Sequence, residues 1–235
     1  GPPNAEYGNG CNEDLWRSDG TSAGTFKLRE LDLPQWGSHR VYEMDEQAFF
    51  VGSDPEHSRE LWKSDGTPEG TTMIEDVNPG TGPSQVSAVR HSHYSTDPVL
   101  DDRFYFDADN GTHGSEVWIS DGTEDGTQLM ADIRPGDKGS HPHNFQATES
   151  LGLVFFIADD GRHGYELWKT DGAAGGTRML KDINPDGNGV GYEAFGGELT
   201  RLGDKLYFFA TDGDHPFELW ATDGTRRGTK RVADL

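Results

Sequence analysis

Four segments of the chain set a histidine midway between an acidic or amide side chain and a glutamate: Asp54-Pro-Glu-His57-Ser-Arg-Glu60, Asn110-Gly-Thr-His113-Gly-Ser-Glu116, Asp160-Gly-Arg-His163-Gly-Tyr-Glu166 and Asp212-Gly-Asp-His215-Pro-Phe-Glu218. Imidazole nitrogens and carboxylate oxygens at a repeated spacing are donors suited to a metal ion or to the hydroxyls of a glycan. The same side chains can instead tie each loop to itself, His and Glu bonding to backbone and to one another. This second reading is favoured, because a residue needed once for binding has no reason to recur in every repeat, whereas loop chemistry does. His57, His113, His163 and His215 are thus candidate ligand-binding residues with a structural alternative beside them. In the irregular stretch Gln35-Trp-Gly-Ser-His39, Trp36 and His39 form a candidate aromatic platform, for which an exposed capping contact is an equal explanation.

Calcium is the cofactor that the remaining acidic loops suggest, since hard carboxylate and carbonyl oxygens suit it. The best local sequence is Asp107-Ala-Asp109-Asn110-Gly111, followed by Asp159-Asp160-Gly161 and Asp212-Gly-Asp214. None continues to the distal bidentate Glu of a complete calcium loop. The competing reading is solubility in a salty medium: 42 Asp and Glu stand against 20 Lys and Arg, a formal charge of −22. The single cysteine, Cys11, excludes a paired-thiol metal site and an internal disulfide framework.

Catalytic signatures are missing. A glycosidase needs two carboxylates in one pocket with pKa values driven apart by unlike surroundings, whereas the prominent carboxylates here belong to a repeat. There is no His-Glu-x-x-His helix or phosphate loop. The expectation is a protein without enzymatic activity, with a glycoside-processing enzyme as the weaker alternative. The charge disfavours nucleic acid and anionic lipid as partners, and no run approaches the ~18 apolar residues of a membrane span. Gly1-Pro2 reads as the scar of a tag-removing protease. Asn110-Gly-Thr112 is an N-glycosylation sequon, meaningful only in a eukaryotic secreted protein.

The loops sit in a frame that repeats five times: Asp14-Leu-Trp-Arg-Ser-Asp-Gly-Thr21, Glu60-Leu-Trp-Lys-Ser-Asp-Gly-Thr67, Glu116-Val-Trp-Ile-Ser-Asp-Gly-Thr123, Glu166-Leu-Trp-Lys-Thr-Asp-Gly-Ala173 and Glu218-Leu-Trp-Ala-Thr-Asp-Gly-Thr225. A Gly-Thr pair follows each at fixed distance, from Gly24-Thr25 to Gly228-Thr229, and the tryptophans Trp16, Trp62, Trp118, Trp168 and Trp220 are 46, 56, 50 and 52 residues apart. A period of about 50 with several short strands is propeller-like. In the last copy Glu198–Leu202, Lys205–Ala210, Glu218–Thr222 and Gly228–Ala233 read as four strands of one meander. No stretch carries a capped 3.6-residue apolar period, so helix content should be very low. A hydrophobic content of 32% invites a reading as disordered, but six Trp, seven Tyr and twelve Phe in register with glycine turns argue for sheets.

The motif resembles the Glu-Leu-Trp-x-x-Asp-Gly-Thr repeat family, also called hyalin-like, and its turn is similar to the Asp-box hairpins of sialidase-type β-propellers. The family resemblance implies secreted or cell-surface adhesion and matrix roles and no shared catalysis. The Asp-box likeness implies a structural role for Asp19, Asp65, Asp121, Asp171 and Asp223, whose carboxylates would accept backbone N–H groups of their own turns. Leu and Trp of the motif are read as packing between blades.

A third element closes each repeat: Asp76-Val-Asn-Pro-Gly80, Asp132-Ile-Arg-Pro-Gly136 and Asp182-Ile-Asn-Pro-Asp186, with Glu30 and Asp234 in the matching places of the first and last copies. In a four-stranded blade this crossing and the His loop emerge at the same end. The prediction is therefore one all-β domain over residues 1–235, a five-bladed propeller of four-stranded antiparallel blades whose first blade is incomplete. Its acidic loop face would bind a glycan or protein partner outside the cell, with calcium as an aid. The alternative is a subunit of a larger assembly, because incomplete sheets leave edges to pair.

Overall fold

The computed structural model describes residues 14–33, 41–79, 86, 97–191, 198–215 and 217–232. Trp36, His39, Cys11 and Asp234 lie outside the described residues. The first repeat contributes a hairpin, β1 (Leu15–Arg17) with β2 (Phe26–Arg29). Four antiparallel four-stranded sheets follow. They are β3 (Tyr42–Met44), β4 (Gln47–Gly52), β5 (Glu60–Ser64) and β6 (Thr72–Glu75); then β7 (Val99–Leu100), β8 (Arg103–Asp109), β9 (Ser115–Ser120) and β10 (Gln128–Ala131). The third holds β11 (His143–Thr148), β12 (Leu153–Asp159), β13 (Tyr165–Thr170) and β14 (Arg178–Met179), and the last β15 (Leu199–Leu202), β16 (Lys205–Ala210), β17 (Glu218–Thr222) and β18 (Lys230–Arg231). Strands neighbour one another in chain order, so every sheet is a meander. The only helical segment among the described residues is the single 3-10 turn Glu149–Leu151.

The all-β expectation holds, as do the four strands per repeat from the second copy onward. The fourth strand is shorter than the sequence suggests. In the last sheet Gly228 and Thr229 are drawn into the preceding turn by bonds to the hydroxyl and carbonyl of Thr225, which leaves Lys230–Arg231 as the ladder.

Successive sheets pack face to face, which explains why the second strand of each is apolar on both sides. On β8, Phe104, Phe106 and Ala108 join Met44, Phe49 and Leu61 of the sheet before, while Tyr105 points into a cluster with Phe145, Val154 and Phe156 of the sheet after. On β12 the roles alternate again: Phe155 and Ile157 meet Leu206, Phe208 and Trp220 of the last sheet. The hairpin closes on the next sheet through Leu15, Leu31, Phe50 and Trp62. Trp62, Trp118, Trp168 and Trp220 each lie in the layer between their own sheet and the preceding one. At roughly 25 cal/mol per Å² of apolar surface withdrawn from water, these layers dominate the stability.

Candidate functional site

Strand β5 and its counterparts β9, β13 and β17 run between the two functional ends of each sheet, with the Asp-Gly-Thr turn at one end and the His loop at the other. At the turn end the side chains form a closed circuit. In the first copy Asp19 Oδ1 accepts the backbone N–H and the hydroxyl of Thr21, at 2.9 and 2.7 Å, and Thr21 Oγ1 accepts the N–H of Gly24. Thr25 donates to the Thr21 carbonyl and pairs with Ser18. Asp65, Asp121 and Asp223 repeat this circuit. The threonine hydroxyl, with the turn's own N–H groups, holds all four carboxyls below the usual range. The second glycine is explained too: a Cβ on Gly24, Gly70, Gly126 or Gly228 would collide with the carboxylate folded over it. In the fourth copy Ala173 lacks the hydroxyl, so its N–H still reaches Asp171 but Gly176 N–H turns to the Ala173 carbonyl instead.

At the other end each histidine bonds its own loop. His57 Nδ1 lies 2.8 Å from Asp54, His113 Nδ1 3.1 Å from Asn110, His163 Nδ1 2.7 Å from Asp160 and His215 Nδ1 2.9 Å from Asp212. The same carboxyl or amide groups accept the histidine N–H, building an Asx turn. Burial pushes the Asp54 and Asp160 carboxyls up, but two backbone N–H groups and the imidazole outweigh it and leave both lowered. On Asp212 the His215 ring is the main cause of a lowered value.

The glutamate of the motif does not bond the histidine, contrary to the expectation that the two would pair. Glu60, Glu116 and Glu166 are fully buried and turn to the crossing that leaves their own sheet. Glu116 accepts N–H from Ile133 and Arg134 and a hydroxyl from Ser140; Glu166 accepts from Asn184, and Glu60 from Val77. Glu218 instead pairs with Arg231 at 2.8 Å. Burial raises the Glu116 carboxyl, and that of Glu166 to about 8, against these N–H donors. Each crossing then leans on the next His loop. Asp32 and Ser53 exchange backbone bonds at 2.9 and 3.0 Å, Arg134 pairs with Asp159 at 2.9 Å, and Thr211 N–H reaches Gly189. Asn78, Arg134 and Asn184 lie directly over Gly111, Gly161 and Gly213, where a Cβ would clash with them. Crossing and His loop therefore form one rim, on which Glu56, Asp137, Asp186 and Asp214 are exposed.

The proposed calcium ligands are dispersed along this rim. Asp107 is buried within β8 and accepts the Ser115 hydroxyl, so Asp107 through Gly111 is strand and turn and not an open calcium loop. Asp109 and Asp159 accept the N–H groups of Gly111 and Gly161, Asp160 and Asp212 hold their histidines, and Asp214 donates its N–H to Asp212. Among the described residues no three His, Cys, Asp or Glu side chains gather as an ion cage.

A further set escaped sequence reasoning. Arg17, Lys63 and Lys169, each following the motif tryptophan, reach across to the carbonyls of Gly66, Gly122 and Gly224 in the next repeat's turn. The third copy has Ile119 there, and Arg103 from the adjacent strand reaches Gly172 instead. The recurring cation was visible in the sequence; its exchange between strands was not.

No family model matches the chain, and no curated protein matches its sequence. Among solved structures it is similar to a puromycin hydrolase S511A mutant complexed with PGG (14% identity, TM-score 0.49, covering 91% of this chain and 31% of that one). It is also similar to TolB from Acinetobacter baumannii (12% identity, TM-score 0.46, covering 90% and 46%) and to the β-propeller domain of the trilobed protease from Pyrococcus furiosus (13% identity, TM-score 0.38, covering 94% and 76%). The chain spans about a third of the length of the puromycin hydrolase structure.

Proposed function

We propose that the chain is a non-enzymatic, extracellular recognition and adhesion module of the Glu-Leu-Trp-x-x-Asp-Gly-Thr kind. Its five repeats are blades about one axis, the first of them a two-stranded hairpin. The observation that carries this reading is the rim: the crossings after the second, third and fourth repeats are each clamped by a buried glutamate and propped on the next His loop, which fixes a row of exposed carboxylates on a rigid scaffold. The histidines serve the loops, so contact with a glycan is made by the exposed rim groups and backbone around them. Calcium enters as a bridge between rim carboxylates and acidic groups of the partner, because the chain gathers no cage of its own among the described residues.

A glycan array read with calcium and with chelator tests this. Binding that falls with chelator, and falls again in Asp186→Lys/Asp214→Lys but not in Glu124→Lys/Asp125→Lys at the opposite end, is the expected result. An array silent under both conditions would remove the glycan reading.

A further inference from the structure

Among the described residues, the two outermost faces of the stack are the two halves of an interface that the layers between them make four times. In the layer between the last two sheets, Phe155, Ile157, Leu167 and Leu180 of the earlier sheet are all buried against Leu206, Phe208 and Trp220 of the later one. Residues in the same register on the last sheet are Tyr207, Phe209, Leu219 and Val232; Val232 N–H bonds the Leu219 carbonyl as Leu180 bonds that of Leu167. Here the face is open: Phe209 is 40% and Val232 50% exposed. The first hairpin presents the opposite half. Trp16, the counterpart of the buried Trp62 and Trp220, is 58% exposed. Nothing among the described residues covers either face.

The polar latch is divided in the same way. The last sheet has Ala221 after its tryptophan, as the third repeat has Ile119, and it carries Lys205 at the register of Arg103. Arg103 donates to the Gly172 carbonyl of the next turn. Lys205 is exposed, and the corresponding acceptor in the first repeat is Gly20, with no neighbour above its Cα.

We infer that a second copy of this chain occupies these faces, the last sheet of one copy stacking on the first hairpin of the next. Such a contact is head-to-tail, so each addition leaves a new open face, and growth ends only in a ring or continues as a filament. A charge of −22 on each copy opposes the approach, so the association strengthens with salt. The inference does not depend on what the rim binds.

The test is molecular mass by sedimentation at ~0.5 M NaCl, where the screening length is only a few Å. The mass of the native chain should rise with concentration. Trp16→Glu alone and Phe209→Glu alone should stay single chains with nearly unchanged unfolding temperatures, since both side chains are exposed. Mixed in equal amounts, they should form a two-chain complex and stop there, because each blocks one end only. Lys205→Met should weaken association by roughly 3- to 10-fold. A native chain that stays monomeric at every concentration, or single variants that assemble as the native chain does, would overturn the inference. In a monomer, hydroxyl-radical footprinting then tells the remaining occupants apart. Protected Trp16 and Phe209 mean closure within one chain, which leaves the five-blade reading intact; reactive ones mean that no copy docks.

Discussion

Two kinds of carboxylate recur in this chain, and their surroundings drive them in opposite directions. The turn aspartates Asp19, Asp65, Asp121 and Asp223 sit in water and collect hydroxyl and N–H donors, so their pKa values are lowered. Their contribution to stability is present above about pH 4 and is lost as acid protonates them. Glu116 and Glu166 of the motif sit in the protein interior, where burial outweighs the donors, and Glu166 rises to about 8. Its folded pKa lies above the unfolded one, so the fold is favoured fully below about pH 4.5 and that advantage is lost as pH rises through about 8. Stability should therefore peak in the mildly acidic range, between the two transitions. The unfolding temperature measured from pH 5 to pH 9 should fall with rising pH, and Glu166→Gln, which keeps an acceptor for Asn184 N–H but cannot ionise, should flatten that slope. An unchanged slope in the variant would place the ionisation elsewhere.

At the scale of strands and turns, the hairpin between β7 and β8 is closed by Asp101 and Asp102, both left-handed at φ 51° and 53°. A two-residue loop with both centres at positive φ matches the twist of its strands and favours Asn-Gly. Here two adjacent acids occupy it in an already anionic protein. Asp101→Asn with Asp102→Gly should raise stability by about 1 kcal/mol, seen as an unfolding temperature higher by about 2–4 °C; a drop would mean that the two carboxylates hold a contact of their own. Local signals of this sort made the elements legible in the sequence: Asp-Gly turns, alternating apolar runs and the 50-residue period led to meander sheets with the correct central strands. The rim was partly legible, because the position of crossing and His loop follows from strand order alone. The Glu116 clamp was not, since its donors Ile133 and Arg134 lie 17 and 18 residues away and present backbone N–H, which no side-chain pattern encodes. The latch was masked because Ile119 interrupts it and Arg103, 69 residues from its acceptor, restores it from another strand.

For the molecule as a whole, charge is the property that links stability, assembly and calcium. A formal −22 spread over 235 residues makes the folded state repel itself, and dilute salt leaves that repulsion acting over ~30 Å at 0.01 M against ~8 Å at 0.15 M. Sodium chloride should therefore raise the unfolding temperature steadily across that range. Calcium can act through the same screening or through a specific site, and the two are separable at matched ionic strength. Screening depends on ionic strength and saturates smoothly, whereas a site adds a stabilisation that grows as the logarithm of calcium concentration once its Kd is passed. Because the carboxylates of Asp109, Asp159, Asp160 and Asp212 lie on three separate loops and already hold N–H or imidazole partners, the isolated chain should respond to calcium no more than to sodium at equal ionic strength. Excess stabilisation by calcium, abolished in Asp109→Asn or Asp214→Asn, would instead show that the chain closes a cage by itself, and the bridging role assigned to the ion would have to be given up.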